Sequence, residues 1–131
     1  MTRRPGRSWS DSGTALVETV LLVPVAMFLV LVAIQAALWM HADQVAQLAA
    51  SEGDRVARSM GGGAAAGVSR AQEVLRAPGS GVSAPVVTTA VLPGDAIVVR
   101  VSARVPTIVP GLALTVSGSA NGTIQQFRSS E

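Results

Sequence analysis

The most constraining feature of this sequence is an uncharged, apolar run from Thr19 to Met40. The run is about 22 residues long, which as a helix spans the roughly 30 Å hydrocarbon core of a bilayer. Only a helix or a closed barrel satisfies its own backbone hydrogen bonds in lipid. Gln35 is the one strongly hydrogen-bonding side chain in the run, and Trp39 lies at its far end, where an indole favours the interface. The sequence therefore predicts a single transmembrane helix.

The composition supports a membrane or assembly role and excludes several kinds of chemistry. Hydrophobic residues make up 49% of the chain and charged residues 14%, whereas soluble domains are about 25% charged. Cysteine is absent, which excludes disulfides, cysteine zinc sites and thiol catalysis. The arginines are scattered and lack aromatic partners, so we expect no nucleic acid. A small domain without disulfides must be held by packing, and oligomerisation is a common remedy.

The distribution of arginines predicts the orientation of the helix. Three precede the apolar run, and the first to follow it is Arg55. This bias predicts a cytoplasmic N-terminus and an extracytoplasmic C-terminal domain in the cell membrane. A cleaved secretory signal is the alternative, with an apolar core of about 7–15 residues and a small-residue cleavage site. The run here is longer, and no clean Ala-x-Ala closes it before His41.

The rest of the chain predicts an α+β fold with four segments. Residues 1–13 form a basic leader, 14–60 a transmembrane helix that continues outside the membrane, 61–67 a glycine-rich linker, and 68–131 a small extracytoplasmic α+β domain. In that domain a short helix is expected at about 69–77, packed with a small antiparallel sheet and the long helix. An apolar stripe on the protruding half of the long helix is expected to face them, with members at Val45, Leu48, Ala49, Val56 and Met60.

Local signals place the elements of this outer domain. Ser69 and Gln72 fit a capping box at the start of the short helix. Val86–Leu92 is rich in β-branched residues, and a Pro-Gly-Asp turn follows it. Strand 97–105 alternates, with apolar residues on one face and Arg100, Ser102 and Arg104 on the other. A further strand region is predicted over 112–127, with a turn near Ala120-Asn121-Gly122.

The segment that narrows the function is Gly13-Thr14-Ala15-Leu16-Val17-Glu18, directly before the apolar run. An acidic residue at a helix N-terminus is favourable by roughly 0.3–1 kcal/mol through the helix dipole, which needs no function. A charge beside lipid is costly, however, and is a functional candidate by default.

A leader followed by Gly-x-x-x-x-Glu and an apolar helix resembles the processing site of type IV prepilins and pseudopilins. In that family a membrane aspartyl protease cuts after the glycine. The resemblance implies a cut between Gly13 and Thr14, so that Glu18 becomes the fifth mature residue. It also implies that Glu18 neutralises the new amino terminus of a neighbouring subunit, as closely paired charges offset each other's desolvation.

The closer resemblance is to TadE/TadG-like proteins of tight-adherence pilus systems, over about residues 10–60. It is carried by the Gly13–Glu18 segment, by Pro24 in the apolar run, and by Ala49-Ala50-Ser51-Glu52-Gly53-Asp54-Arg55-Val56-Ala57. Thr14 departs from the Phe or Met that follows the cut in major pilins. The resemblance implies a structural subunit, a minor pilin or pseudopilin. Its implied partners are other pilin or pseudopilin subunits, an inner-membrane assembly platform and a prepilin peptidase, with membrane lipid around the helix.

The alternative is an uncleaved bitopic membrane protein that presents a small β-rich domain to an envelope or secretion complex. Only the pilin hypothesis needs both Gly13 and Glu18. Neither hypothesis calls for an enzyme, a cofactor, a metal or a small-molecule substrate. His41 is the sole histidine and is interpreted as structural, and Gly61–Gly63 lack the Lys-Ser/Thr of a phosphate loop.

Several polar residues and one proline on the long helix lead to further expectations. Glu52 and Arg55 form either a solvated i,i+3 pair or a subunit contact, whereas Asp54 and Arg58 have the spacing of a favourable i,i+4 pair. Gln35 either bonds to a neighbouring membrane helix or extends towards the interface. Pro24 is expected to kink the helix.

Overall fold

The computed structural model describes residues 11–59, 61–94 and 96–123. These contain two helices, α1 (Asp11–Arg58) and α2 (Ala64–Arg76), and three strands, β1 (Ser83–Leu92), β2 (Ala96–Val105) and β3 (Leu114–Thr123). The α+β class with a long N-terminal helix is thereby confirmed. Most of the predicted leader, and the end of the predicted third strand at 124–127, lie outside the described residues. The chain divides into two compact units, Met1–Ile34 and Gln35–Glu131, which are described separately.

The first unit is an apolar helix that buries none of its described side chains. Between Leu16 and Ile34 every residue of α1 is exposed, and the large apolar side chains among them lie on all sides of the helix. A helix that is apolar all round needs lipid or other helices to cover it. By length and composition α1 includes one candidate membrane span. Pro24 lies inside it.

In the second unit, the remainder of α1 contributes a face of small residues to the core. Its buried apolar members are all alanines: Ala42, Ala46, Ala49, Ala50 and Ala57. The predicted apolar stripe is confirmed at Ala49, which is buried, and at Val45, which packs half-buried against the core. It is wrong at Leu48, which is 53% exposed, and Met60 lies outside the described residues. Alanines occupy the core face because a sheet and a second helix approach the α1 backbone closely there.

The sheet is antiparallel in the order β1-β2-β3, so β2 is its central strand. The predicted alternation along β2 is confirmed. Its buried face consists of Ile97, Val99, Val101, Ala103 and Val105, whereas Arg100, Ser102 and Arg104 are exposed. This half-buried pattern is typical of a sheet with one face on a core.

The turn predicted near residues 120–122 is wrong, because β3 continues through it. Asn121 pairs with Val98, and Gly122 pairs with Ile97. The glycines of β3 serve a close approach to α1 instead of a turn. A Cβ on Gly118 would collide with the backbone carbonyl of Ala46, and one on Gly122 would lie 2.5 Å from Nε of Arg58. A glycine inside a strand is consistent with such close contact.

The short helix also differs from its prediction. α2 begins at Ala64 and not near residue 69, so the capping box at Ser69 and Gln72 is wrong, and both residues lie within the helix. Its N-cap is Gly63, with φ of 98° and no side-chain cap, a backbone conformation that favours glycine. The earlier start allows Gly67 to join Ala71 and Leu75 on the buried face at i, i+4, i+8 spacing.

Three contacts define how α1 runs along the sheet within the second unit. Gln35 bonds to residues just after β2, Gln47 bonds to Ser117 in β3, and Arg58 lies against Gly122 near the end of β3. α1 therefore follows β3 in the same direction. The β2–β3 loop lies at the Gln35 end, and the β1–β2 hairpin lies at the Arg58 end.

This packing predicts that α1 is required for the outer domain to fold. We expect residues 35–131 to unfold cooperatively in urea and residues 64–131 to lack a cooperative transition, because the shorter fragment loses the alanine face and exposes Val99 and Val101. Circular dichroism and proton–nitrogen NMR spectra of the two fragments check this. A well-dispersed spectrum from residues 64–131 would contradict it.

Candidate functional site

The predicted processing residues lie in the first turns of α1. Gly13 is exposed, and a Cβ added to it would meet no atom within 4 Å. Thr14 follows within the same helix. Because α1 begins at Asp11, the peptide bond between Gly13 and Thr14 is helical.

Glu18 is an isolated carboxylate on an apolar surface. It is exposed, and it has no hydrogen bond or ion pair to any residue that the structure describes. Its neighbours one helical turn on are Leu21 and Leu22, which are 71% and 56% exposed. No other acidic or basic residue lies between Leu16 and Ile34. Such a carboxylate can accept hydrogen bonds from a cationic donor, and in lipid it would need one.

The segment Glu52–Ala57 joins α1 to α2. A Cβ on Gly53 would lie 2.8 Å from the carbonyl oxygen of Gly67, and one on Gly67 would lie 2.8 Å from Cβ of Ala57. The two helices therefore cross with their backbones in near contact, which is possible only where both residues lack a side chain. This part of the predicted motif is structural.

The charged residues of the same segment also act within the subunit. Arg58 contacts Asp54 at 2.7 Å, and Asp54 is 3% exposed, so the predicted i,i+4 pair is confirmed and is largely buried. Arg55 contacts Glu52 at 3.3 Å with its side chain 73% exposed, so the predicted i,i+3 pair is present within the subunit. A subunit contact at this pair stays a prediction.

Sequence reasoning missed a link from Glu52 to α2. Arg70 lies 3.5 Å from Glu52 and donates a 2.9 Å hydrogen bond to Glu73. The hydrogen bond to Glu73 and its negative charge raise the pKa of Arg70 above its usual value. Arg70 therefore bridges acidic residues on two helices. No spacing signal could have found this link, because its members are brought together only by the Gly53–Gly67 crossing.

Gln35 has a partner that neither interpretation of the sequence anticipated. Its Oε1 accepts a 2.8 Å hydrogen bond from the backbone N–H of Ile108, and its Nε2 donates to the carbonyl oxygen of Pro106 at 3.3 Å. Gln35 is 3% exposed. Both predictions for it, a neighbouring membrane helix and extension towards the interface, are wrong because the β2–β3 loop uses both ends of the amide.

His41 lies beside the connection between α2 and β1. Its Nε2 is 3.0 Å from the carbonyl oxygen of Gly79, and a Cβ on Gly81 would lie 3.1 Å from the ring. This contact agrees with the structural interpretation of His41. Among the described residues, no group of three or more His, Cys, Asp or Glu side chains is placed to hold a metal ion.

Comparison with known proteins gives a family match over part of the chain. Residues 13–55, about a third of the chain, match the TadE family model, described as TadE-like protein. The resemblance to TadE/TadG-like proteins is thereby confirmed over a segment that includes Gly13, Glu18 and Gly53. No curated protein and no solved structure matches the chain. The family is structural and not enzymatic, and it suggests a protein associated with tight-adherence pili. Together with the apolar helix, it also suggests a membrane-anchored protein.

The two ion pairs of α1 provide a prediction about this matched segment. We expect Arg58→Ala to lower the free energy of unfolding by about 3 kcal/mol, since it leaves the buried Asp54 carboxylate without a cation. Arg55→Ala is the matched control, and its exposed pair contributes less than about 1 kcal/mol. Urea unfolding of residues 35–131 measures both. Equal losses in the two variants would contradict the assignment of a buried pair.

Proposed function

We propose that this protein is a minor pilin or pseudopilin, a structural subunit of a tight-adherence pilus or a related secretion system. Its N-terminal helix anchors it in the cell membrane, with the N-terminus cytoplasmic and the small domain extracytoplasmic. The observation that carries the proposal is the helix from Leu16 to Ile34, which exposes apolar side chains on every side and has one acidic residue, Glu18, near its start. The family match over residues 13–55 supports it.

Glu18 supplies the electrostatic part of the proposed assembly. Cleavage after Gly13 would create a cationic amino group on Thr14, at the helix end where the dipole already disfavours positive charge. A carboxylate within the same lipid layer stabilises that cation. At low dielectric, a close ion pair has a smaller net desolvation penalty than two separate charges. Because Glu18 has no partner among the described residues, it is available to the amino terminus of a neighbouring subunit.

The remaining helix surface supplies the packing part. In lipid, apolar helices associate through close van der Waals contact and not through the hydrophobic effect. The exposed leucine, valine and phenylalanine side chains of α1 offer such contacts to other pilin helices. The inner-membrane platform and the prepilin peptidase would reach the same helix within the membrane.

An uncleaved membrane protein that presents its β-rich domain to an envelope or secretion complex is the second candidate. One observation favours it: the Gly13–Thr14 peptide bond lies inside α1, which begins at Asp11. A protease acts on locally opened chain, so the first helical turn would have to unwind before cleavage.

The mass of the mature N-terminus separates the two candidates. We expect protein extracted from the membranes of its native host to begin at Thr14, because Gly13 is exposed and lies five residues before Glu18, the spacing of the prepilin processing site. Intact-mass and N-terminal peptide spectrometry measure this directly. A chain that retains Arg3, Arg4 and Arg7 would favour the uncleaved membrane protein.

The role of Glu18 can be tested without altering its size. Glu18→Gln should reduce co-purification with other pilus subunits by roughly tenfold or more, since losing one member of a buried charge pair costs several kcal/mol. Glu73→Gln makes the same chemical change at an exposed side chain of α2 and is the matched control. Membrane fractionation verifies that both variants insert. Normal assembly of the Glu18→Gln protein would contradict the pairing role.

A further inference from the structure

We propose that the β2–β3 loop, residues 106–113, is a second membrane-contacting element that lies in the interface of the bilayer spanned by the anchor helix. The inference rests on the proposed anchoring of the protein by residues 16–34. Its occupant is the lipid interface itself, a layer of headgroups and upper acyl chains. Three observations carry it: the position of the loop, its chemistry, and the way its backbone polar groups are satisfied.

The position follows from chain connectivity. The uncharged apolar run of α1 ends at Met40, and Gln35 lies within its last two turns. The run is about 22 residues, or about 33 Å of helix, which spans the roughly 30 Å hydrocarbon core of a bilayer. Gln35 is therefore at the level of the upper acyl chains. Its amide binds the backbone of Pro106 and Ile108 at 3.3 and 2.8 Å, so the loop is held at the same depth.

The loop has the chemistry of an interfacial segment. It contains no charged residue, and the nearest charged residues along the chain are Arg104 and Arg128. Ile108 and Leu112 are 48% and 41% exposed, although both are large and apolar. Trp39, one helical turn after Gln35, is also 41% exposed, and indoles favour the boundary between lipid and water.

A tight turn presents these side chains. The N–H of Leu112 donates to the carbonyl oxygen of Val109 at 3.3 Å, and Gly111 has φ of 83°. Proline at the second position and glycine with positive φ at the third are the signature of a type II turn. The turn and the Gln35 amide together satisfy backbone groups at Pro106, Ile108, Val109 and Leu112. Internally satisfied polar groups lower the cost of moving a loop out of water.

The far end of the sheet provides an internal comparison. Val91 in the β1–β2 hairpin is 67% exposed, so it is at least as apolar and accessible as Leu112. It is separated from the β2–β3 loop by the length of β2, about 30 Å at roughly 3.3 Å per residue. If exposure alone mattered, labels at Val91 and Leu112 would be quenched equally by lipid probes. Contact of the loop with the membrane predicts stronger quenching at Leu112.

The absence of cysteine from the sequence makes a labelling experiment direct. Leu112→Cys, Val91→Cys and Leu22→Cys are made singly in the full chain, labelled with an environment-sensitive fluorophore and reconstituted in phosphatidylcholine vesicles. Quenching by lipids with a spin label at the headgroup or deep in the acyl chain reports depth. We expect deep quenching at Leu22, headgroup-level quenching at Leu112 at least threefold that at Val91, and little at Val91. Ile108→Cys repeats the loop measurement with an independent variant.

The outcomes separate failure of this inference from failure of the anchoring. Quenching at Leu22 with Leu112 and Ile108 no more quenched than Val91 would overturn the loop contact and leave the anchor standing. Blue-shifted emission at the loop without lipid quenching would mean that protein covers it, and would also overturn the proposal. No quenching at Leu22 would overturn the anchoring together with the loop contact.

Discussion

The close approach of α1 to the rest of its domain is the constraint on which the other features of the outer fold depend. Gly53 meets Gly67 backbone to backbone, and Gly118 of the central part of β3 rests on the carbonyl of Ala46. Since interiors are packed as densely as organic crystals, even one methyl group at such a contact forces a shift. The charged link between Glu52 and Arg70 forms only because this approach sets the distance. The Asp54–Arg58 pair is set by helical spacing within α1.

The same contact explains how a small, cysteine-free domain acquires a core. The largest fully buried side chains among the described residues are Leu75, Val99 and Val101, which is little apolar volume for a domain to bury. The alanine face of α1 closes over them and excludes water from both α2 and β2. The helix that is proposed to anchor the protein through residues 16–34 therefore supplies one wall of the core with its remaining residues, from Gln35 to Arg58.

The sequence predicted what depends on local periodicity and missed what depends on tertiary contact. The helix over the apolar run and the alternation along β2 follow from local sequence patterns, and both were predicted correctly. The turn assigned to Asn121 and Gly122 was wrong because the glycine makes room for Arg58 of α1 and does not reverse the chain. The start of α2 was missed because Ser69 suggested an N-cap. In the structure Gly67 lies within α2, where its backbone packs closely against Gly53. Ile108, which donates to Gln35, is 73 residues further along the chain, so no local pattern could reveal this contact.

The two parts of α1 differ in how they tolerate changes of sequence. From Leu16 to Ile34 the helix surface is apolar all round, so exchanging one apolar side chain for another leaves it equally suited to lipid. From Gln35 to Arg58 the helix is fixed to β3 at several points, and one inserted residue would turn everything beyond it by about 100°. The alanines would leave the sheet, and Gly53 would no longer face Gly67. Exchanges between apolar residues are therefore tolerated in the anchor, whereas insertions and deletions are not tolerated between Gln35 and Arg58.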